Sequence, residues 1–294
     1  MMKKFSIQCM FLLFVLLIAL VRCTVPKQGR GPAKEQIVFF DDFSGPGLDR
    51  RNWNVEVSGR VVNNEQQAYV DSSSTIYFVK GTEAEGAVNG ALVLHPKFSK
   101  AFTLEDGRRF DFISGRINTR AKVEFIYGTV AARIKMTEGT GLWPAFWILG
   151  GGRWPETGEI DIMEYVGEPD WTGVAIHGPG YSGETPLVNK FYFENGNDVT
   201  KWHVYSIDWT RDSVLFKVDD RLIYRATRPM VEHYGKWVFD EPKFLILNFA
   251  LGGAYPFKTN GIKAPYNGIP ESTVDLIKQG KSKMLVDWVR VVKL

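Results

Sequence analysis

The sequence predicts an all-β fold, two antiparallel sheets packed as a sandwich. Two observations carry this reading. From Ile37 onward, short runs of β-branched, aromatic and aliphatic residues recur between breaks rich in Gly, Pro, Asn and Asp, the pattern of strands joined by turns. Only Ser272 to Gln279 carries a helical pattern, and for two turns at most.

Taken in chain order, the first element is a leader. Lys3 and Lys4 precede an apolar run from Met10 to Val21 that ends near Arg22-Cys23, which reads as a secretory signal over residues 1–23, too short to span a bilayer. Cys23 is alternatively a lipid-anchor cysteine, although Arg22 is a poor fit to the small residue expected before one. Pro26, Gly29, Gly31 and Pro32 make residues 24–36 a flexible linker. Residues 37–294 then form one β domain, long enough to bury a sizeable core. Its strands are expected at Ile37 to Phe40, Ala91 to Leu94, Ala121 to Phe125, Thr129 to Lys135, His203 to Trp209, Ser213 to Val218, Phe244 to Ala250 and Met284 to Val292. Each is a stretch of side chains that suit a pleated, half-buried surface.

Composition narrows the partners. The chain has 36 Lys+Arg against 33 Asp+Glu, and removal of the leader takes away Lys3, Lys4 and Arg22, leaving 36 − 3 = 33 against 33. A nominally neutral body gives no general reason to expect nucleic acid, an anionic membrane or a polyanion as partner. Both cysteines, Cys9 and Cys23, lie in the leader, so the domain has no disulfide, thiol nucleophile or cysteine zinc site.

The stretch that carries chemistry is Gly158-Glu159-Ile160-Asp161-Ile162-Met163-Glu164. On a strand Glu159 and Asp161 share one face while Ile160 and Ile162 pack on the other. Glu164 would point the wrong way by simple alternation, and a β-bulge near Ile162 and Met163 would return it to the face of Glu159. Like charges side by side cost stability. They also push carboxyl pKa values apart, so that one acid stays protonated beside an ionised neighbour. That pair of states is what glycoside hydrolysis uses, and carboxylates roughly 5 to 7 Å apart are nearer the retaining than the inverting geometry.

The run Gly141-Leu142-Trp143-Pro144-Ala145-Phe146-Trp147-Ile148-Leu149, then Trp154-Pro155 and Gly158 to Glu164, resembles the signature of glycoside hydrolase family 16, laminarinase-like branch. The resemblance extends through Asn63 to Tyr69, Ser114 to Ile117, His177 to Gly183, Leu247-Asn248 and Val286 to Val291. It implies a two-sheet jelly roll with a substrate cleft across its concave face, and a secreted, retaining endo-β-glucanase acting as a monomer without an organic cofactor. Glu159 would be the nucleophile, Glu164 the acid/base, and Asp161 the group that orients and tunes them.

Trp143 and Trp147, four apart and flanking Pro144, can share one face and offer indoles to the apolar patches of sugar rings. The Asn63 to Tyr69 segment supplies amides and a hydroxyl suited to sugar hydroxyls, or else is a polar turn. The resemblance makes Asn64, Arg116 and His177 cleft residues. Asp41, Asp42 and Asp287 are either surface and strand acids or hard-oxygen ligands, and the resemblance implies a structural calcium on the convex side held by Asp42 and Asp287.

Two departures from the family pattern stand out. Ala131 stands where a glutamate is common, and residues 254–283 form a long loop in place of a short connection. Linkage stays open among β-1,3-glucan, mixed β-1,3-1,4-glucan and other β-linked polysaccharides such as agar or carrageenan. A glucan-binding, lectin-like protein on the same sandwich is the reading from outside the enzymes, and such relatives usually lack one or both of the glutamates.

Overall fold

A computed structural model describes residues 36–294; the leader, both cysteines and nearly all of the linker lie outside the described residues. Two large antiparallel sheets face each other. The first runs in the order Arg221–Thr227, Ser213–Val218, His203–Trp209, Gly128–Met136, Met284–Val292, Ala91–Leu94, Ile76–Val79, with Ile37–Asp41 added beside Met284–Val292. The second runs Leu187–Tyr192, Trp171–His177, Glu159–Glu164, Leu142–Gly150, Lys243–Leu251, Arg116–Asn118, Asn54–Val55. A small third sheet joins Gln67–Tyr69, Arg109–Ser114 and Lys97–Thr103.

Alternation builds the core. Val130, Ala132 and Ile134 of one sheet, with Tyr205, Ile207 and Trp209, meet Phe146, Ile148, Ile160, Ile176, Leu245 and Leu247 of the other in one continuous buried cluster. Each large apolar side chain so buried contributes roughly 1.5–3 kcal/mol. The intervening residues of the second sheet therefore point outward, and these carry the polar and aromatic groups described below. The expected strands are present, with ends moved by a residue or so, except that Ala121 to Phe125 contracts to Glu124–Phe125 because residues 119–123 turn, with Lys122 and Val123 N–H bonded to the Thr119 carbonyl.

Among the described residues three short α-helices, α1 (Arg228–Glu232), α2 (Ala254–Asn260) and α3 (Glu271–Lys278), and a 3-10 turn at Gly81–Ala84 punctuate the β framework. The sequence pattern locates α3 to within a residue. It misses α2, a two-turn segment interrupted by Pro256, inside what reads as a loop. Among the described residues no helix is long and apolar enough to cross a membrane.

Candidate active site

The acid strand follows Gly158, whose φ of +71° and tight 3.0 Å approach to Val238 and Phe239 disfavour any side chain. The preceding turn is held by the buried Lys243, whose Nζ donates to the Thr157 carbonyl at 2.6 Å. From there the strand pairs Glu159 with His177, Asp161 with Ala175 and Glu164 with Gly173. Two residues, Ile162 and Met163, thus stand opposite one, Val174, between the last two of those pairs. This is the bulge the acid spacing calls for, and both neighbouring ladders shift register there. Ile162 and Met163 go into the core, and Glu159, Asp161 and Glu164 share the outer face.

Each acid has its own partner. Trp154 Nε1–H donates to Glu159 Oε2 at 2.9 Å, and Trp143 Nε1–H donates to Glu164 Oε1 at 3.0 Å. His177 Nε2 lies 3.1 Å from Asp161 Oδ2 and 3.9 Å from Glu159 Oε1. The Gly183 N–H donates to His177 Nδ1, which puts the imidazole proton on Nε2, toward the acids.

Burial dominates the electrostatics. It pushes Glu159 up to about 8, helped by the neighbouring charge of Asp161, and it raises Glu164 to about 7 against the opposing Trp143 hydrogen bond. Asp161 is raised as well, by burial first and the charge of Glu164 second. One buried and two half-buried carboxyls on one face disfavour one another's charge, so the trio retains protons near neutral pH and titrates as a unit.

Behind the acids a polar chain runs across the sheet. Trp147 Nε1–H donates to Asn248 Oδ1 (2.7 Å), Asn248 Nδ2 donates to the Tyr69 hydroxyl (3.1 Å), and Tyr69 in turn donates to Glu65 (3.4 Å). The Arg116 guanidinium lies 5.0 Å from the centre of the Trp147 ring and 5.7 Å from that of Tyr69, and it pairs with Glu56 at 2.9 Å. Asn64 is in a left-handed conformation, φ +57°, beside a cavity of about 510 Å³ lined also by Gln66, Lys100, Arg109 and Tyr266, none of them on the acid-bearing sheet.

The structure corrects two expectations. Trp143 is only 9% exposed, enclosed by Val166, Trp171, Ala250 and Tyr255, so its indole orients Glu164 and is no open platform for a sugar. The open indole is Trp154, 45% exposed and bonded to Glu159. Its signal in the sequence was a tryptophan five residues ahead of the first acid. Within the Asn63 to Tyr69 segment the sequence singles out Asn64 and not Glu65, and it does not single out Asn248 or Tyr255, since partners so remote in sequence leave no local spacing pattern.

The expected calcium ligands do not fit an ion. Asp287 is fully buried, one oxygen accepting the Val88 N–H at 2.8 Å and the other paired with Arg133 at 2.5 Å, so a guanidinium already supplies the positive charge. Asp42 accepts from Ser44 and Asn89 instead. Among the described residues, the group of three potential metal-binding side chains is Glu159, Asp161 and His177. Ala131 lies in the opposite sheet, paired with Ser206 and Arg290, away from the acid strand.

The sequence profile of glycosyl hydrolases family 16 matches residues 59–262. The chain belongs to that family. Among family relatives it is 31% identical over 283 residues to glucan endo-1,3-beta-glucosidase A1 of Niallia circulans, covering 87% of this chain but 38% of that protein's length. It is 30% identical over 269 residues to the beta-glucanase of Rhodothermus marinus, covering 86% of this chain and 88% of that one. The laminarinase catalytic domain from Thermotoga maritima superposes with a TM-score of 0.73 at 31% identity, over 89% of this chain and 99% of that domain. This family 16 chain therefore has the laminarinase jelly roll, and its outward-facing acid trio lies within the matched region.

Proposed function

We propose that this family 16 chain is an exported, retaining endo-β-glucanase that hydrolyses β-1,3-glucan or mixed β-1,3-1,4-glucan through a covalent glycosyl-enzyme. The observation that carries the chemistry is the bulge that turns Glu164 to the face of Glu159 and Asp161, with an indole N–H on each glutamate and an imidazole on the aspartate. The relatives named as glucanases and the laminarinase likeness support the substrate class.

In this reading Glu164, raised to about 7, carries the proton that the leaving oxygen needs near neutral pH. Glu159, pushed up to about 8, must give up its proton before it attacks the anomeric carbon; in this reading that proton passes to the adjoining Asp161, and the Trp154 N–H steadies the carboxylate left behind. Asp161 lies between them and governs where the shared proton rests, with His177 fixing its orientation. Once the glycosyl-enzyme has formed, Glu164, now deprotonated, takes a proton from water, which releases the sugar with retention.

Two glutamate variants test the roles. With a dinitrophenyl β-glucan oligoside, which needs little protonation to depart, Glu164→Ala should give a burst of phenol and then slow turnover, and azide should restore turnover as a β-glycosyl azide. Glu159→Ala should give no burst. If Glu159→Ala bursts and Glu164→Ala does not, the roles are reversed. Product analysis on laminarin, lichenan, agarose and carrageenan tests the substrate, and cleavage of agarose or carrageenan alone would overturn the glucan reading. A binding protein without activity is weighed against by the presence of all three acids.

A further inference from the structure

The outer face of the acid-bearing sheet is unequal on its two sides. Toward the Arg116–Asn118 strand it carries the indole of Trp147 and the amide of Asn248. Toward the other side the next strand, Trp171–His177, places Gly173 and Ala175 beside the acids, paired with Glu164 and Asp161. Residues this small would leave an open floor, and the strand beyond is open, since Val188 and Lys190, which pair with Ala175 and Gly173, are exposed. Gly173 and Ala175 are nevertheless buried, Ala175 to 2% exposure.

Helix α2 accounts for the cover at Gly173. Tyr255, in its first turn, packs edge-on against Trp143 with ring centres 5.6 Å apart, and a Cβ at Gly173 would lie 3.2 Å from its hydroxyl. One turn on, Lys258 forms an exposed ion pair with Glu184, in the loop that follows His177. That loop also borders Trp154, which a Cβ at Gly183 would meet at 4.0 Å. The segment therefore reaches from the Glu164 end of the acid row to the loop at its Glu159 end.

We propose that Tyr255, Lys258 and Glu184 are specificity-determining residues that bound the cleft at the Trp171–His177 strand, the Lys258–Glu184 pair acting as a latch. The inference rests on the β-glucanase reading above. Strands lie about 4.8 Å apart, so closing the face at one strand removes room for sugars beyond it. A short β-glucan oligosaccharide then enters from the Trp147 side and is cut at one fixed distance from one of its ends. A long chain crosses only when the latch parts. An exposed ion pair is weak enough to do this readily, and salt weakens it further.

Two measurements test the proposal. A zero-length carbodiimide joins an amine and a carboxylate in contact as an amide, so the native protein should yield a Lys258–Glu184 linked peptide by mass spectrometry, and the Lys258→Met variant should not. Absence of that link in the folded wild type would overturn the closure, whatever the substrate. The second measurement follows laminarihexaose labelled with 18O at its reducing end. The wild type should favour one bond, Lys258→Glu should raise cleavage at neighbouring bonds by roughly two- to fivefold, and Lys258→Glu/Glu184→Lys should restore the original pattern. Identical patterns in all three folded proteins would overturn the specificity role. If no laminarihexaose is cleaved at all, the β-glucanase reading fails, while the cross-link still reports on the closure.

Discussion

Neutralising Glu159 should make the protein more stable, and increasingly so as pH rises. The carboxyl titrates at 4.5 when the chain is unfolded and is pushed up to about 8 in the folded state, chiefly by burial. A raised folded pKa means that the native state binds the proton more tightly, so stability falls as pH rises from 4.5 through 8. Below 4.5 both states are protonated and the group has no effect on stability. At 1.36 kcal/mol per unit, the cost above pH 8 is at most about 5 kcal/mol. Part of it is shared with Asp161 and Glu164, so about 2 to 5 kcal/mol is expected, a large fraction of the 5–15 kcal/mol typical of a domain. Glu159→Gln keeps the size of the side chain and an acceptor oxygen for the Trp154 N–H but cannot ionise. Urea unfolding of wild type and variant at pH 4.5, 6 and 8 should give curves that coincide at the lowest pH and separate progressively above it. A constant difference across the series, or a wild type that gains on the variant as pH rises, would refute the account of a buried carboxylate held at a cost.

Further perturbations separate the roles of the surrounding groups. Trp154→Phe keeps a ring but removes the N–H on Glu159, and loss of a hydrogen bond to a charged group should lower kcat/KM by roughly 10- to 150-fold; an unchanged value in a folded variant would rule the contact out as functional. Asp161→Asn removes a negative charge that raises Glu159, so the acid limb of the pH–rate profile should move to lower pH while kcat falls, and a profile identical to wild type would exclude a tuning role. Because Arg133 already neutralises the buried Asp287, chelators should leave Tm unchanged, whereas Arg133→Met should cost about 3–5 kcal/mol by stranding that carboxylate; a chelator-induced fall in Tm would restore the metal reading.

Much of this molecule was legible in the sequence because the information is local. Alternating apolar residues bounded by turn formers specify strands whatever lies beside them, and His203–Trp209, Ser213–Val218 and Met284–Val292 begin and end as the pattern requires. The acid strand was legible for the same reason: three carboxylates with odd spacing can share a face only through a bulge, and the bulge lies between Asp161 and Glu164. What the chain could not state locally is which side chains meet across strands. Trp143 and Trp147 have the same spacing and the same apparent promise, yet Tyr255 and Trp171 enclose one, while Arg116 and Asn248 hold the other. Asp287 looks like a metal ligand until a residue 154 positions away, Arg133, takes its oxygen. Helix α2 has too few residues and a proline too near its centre to declare itself, and its position is set by packing against Trp143. The sequence by itself determined the strands, the acids and their shared face, since backbone alternation is a property of neighbours in the chain. Only the tertiary structure decided which tryptophan is open, which charge neutralises Asp287 and where the cleft is closed, since these depend on contacts between segments remote in sequence.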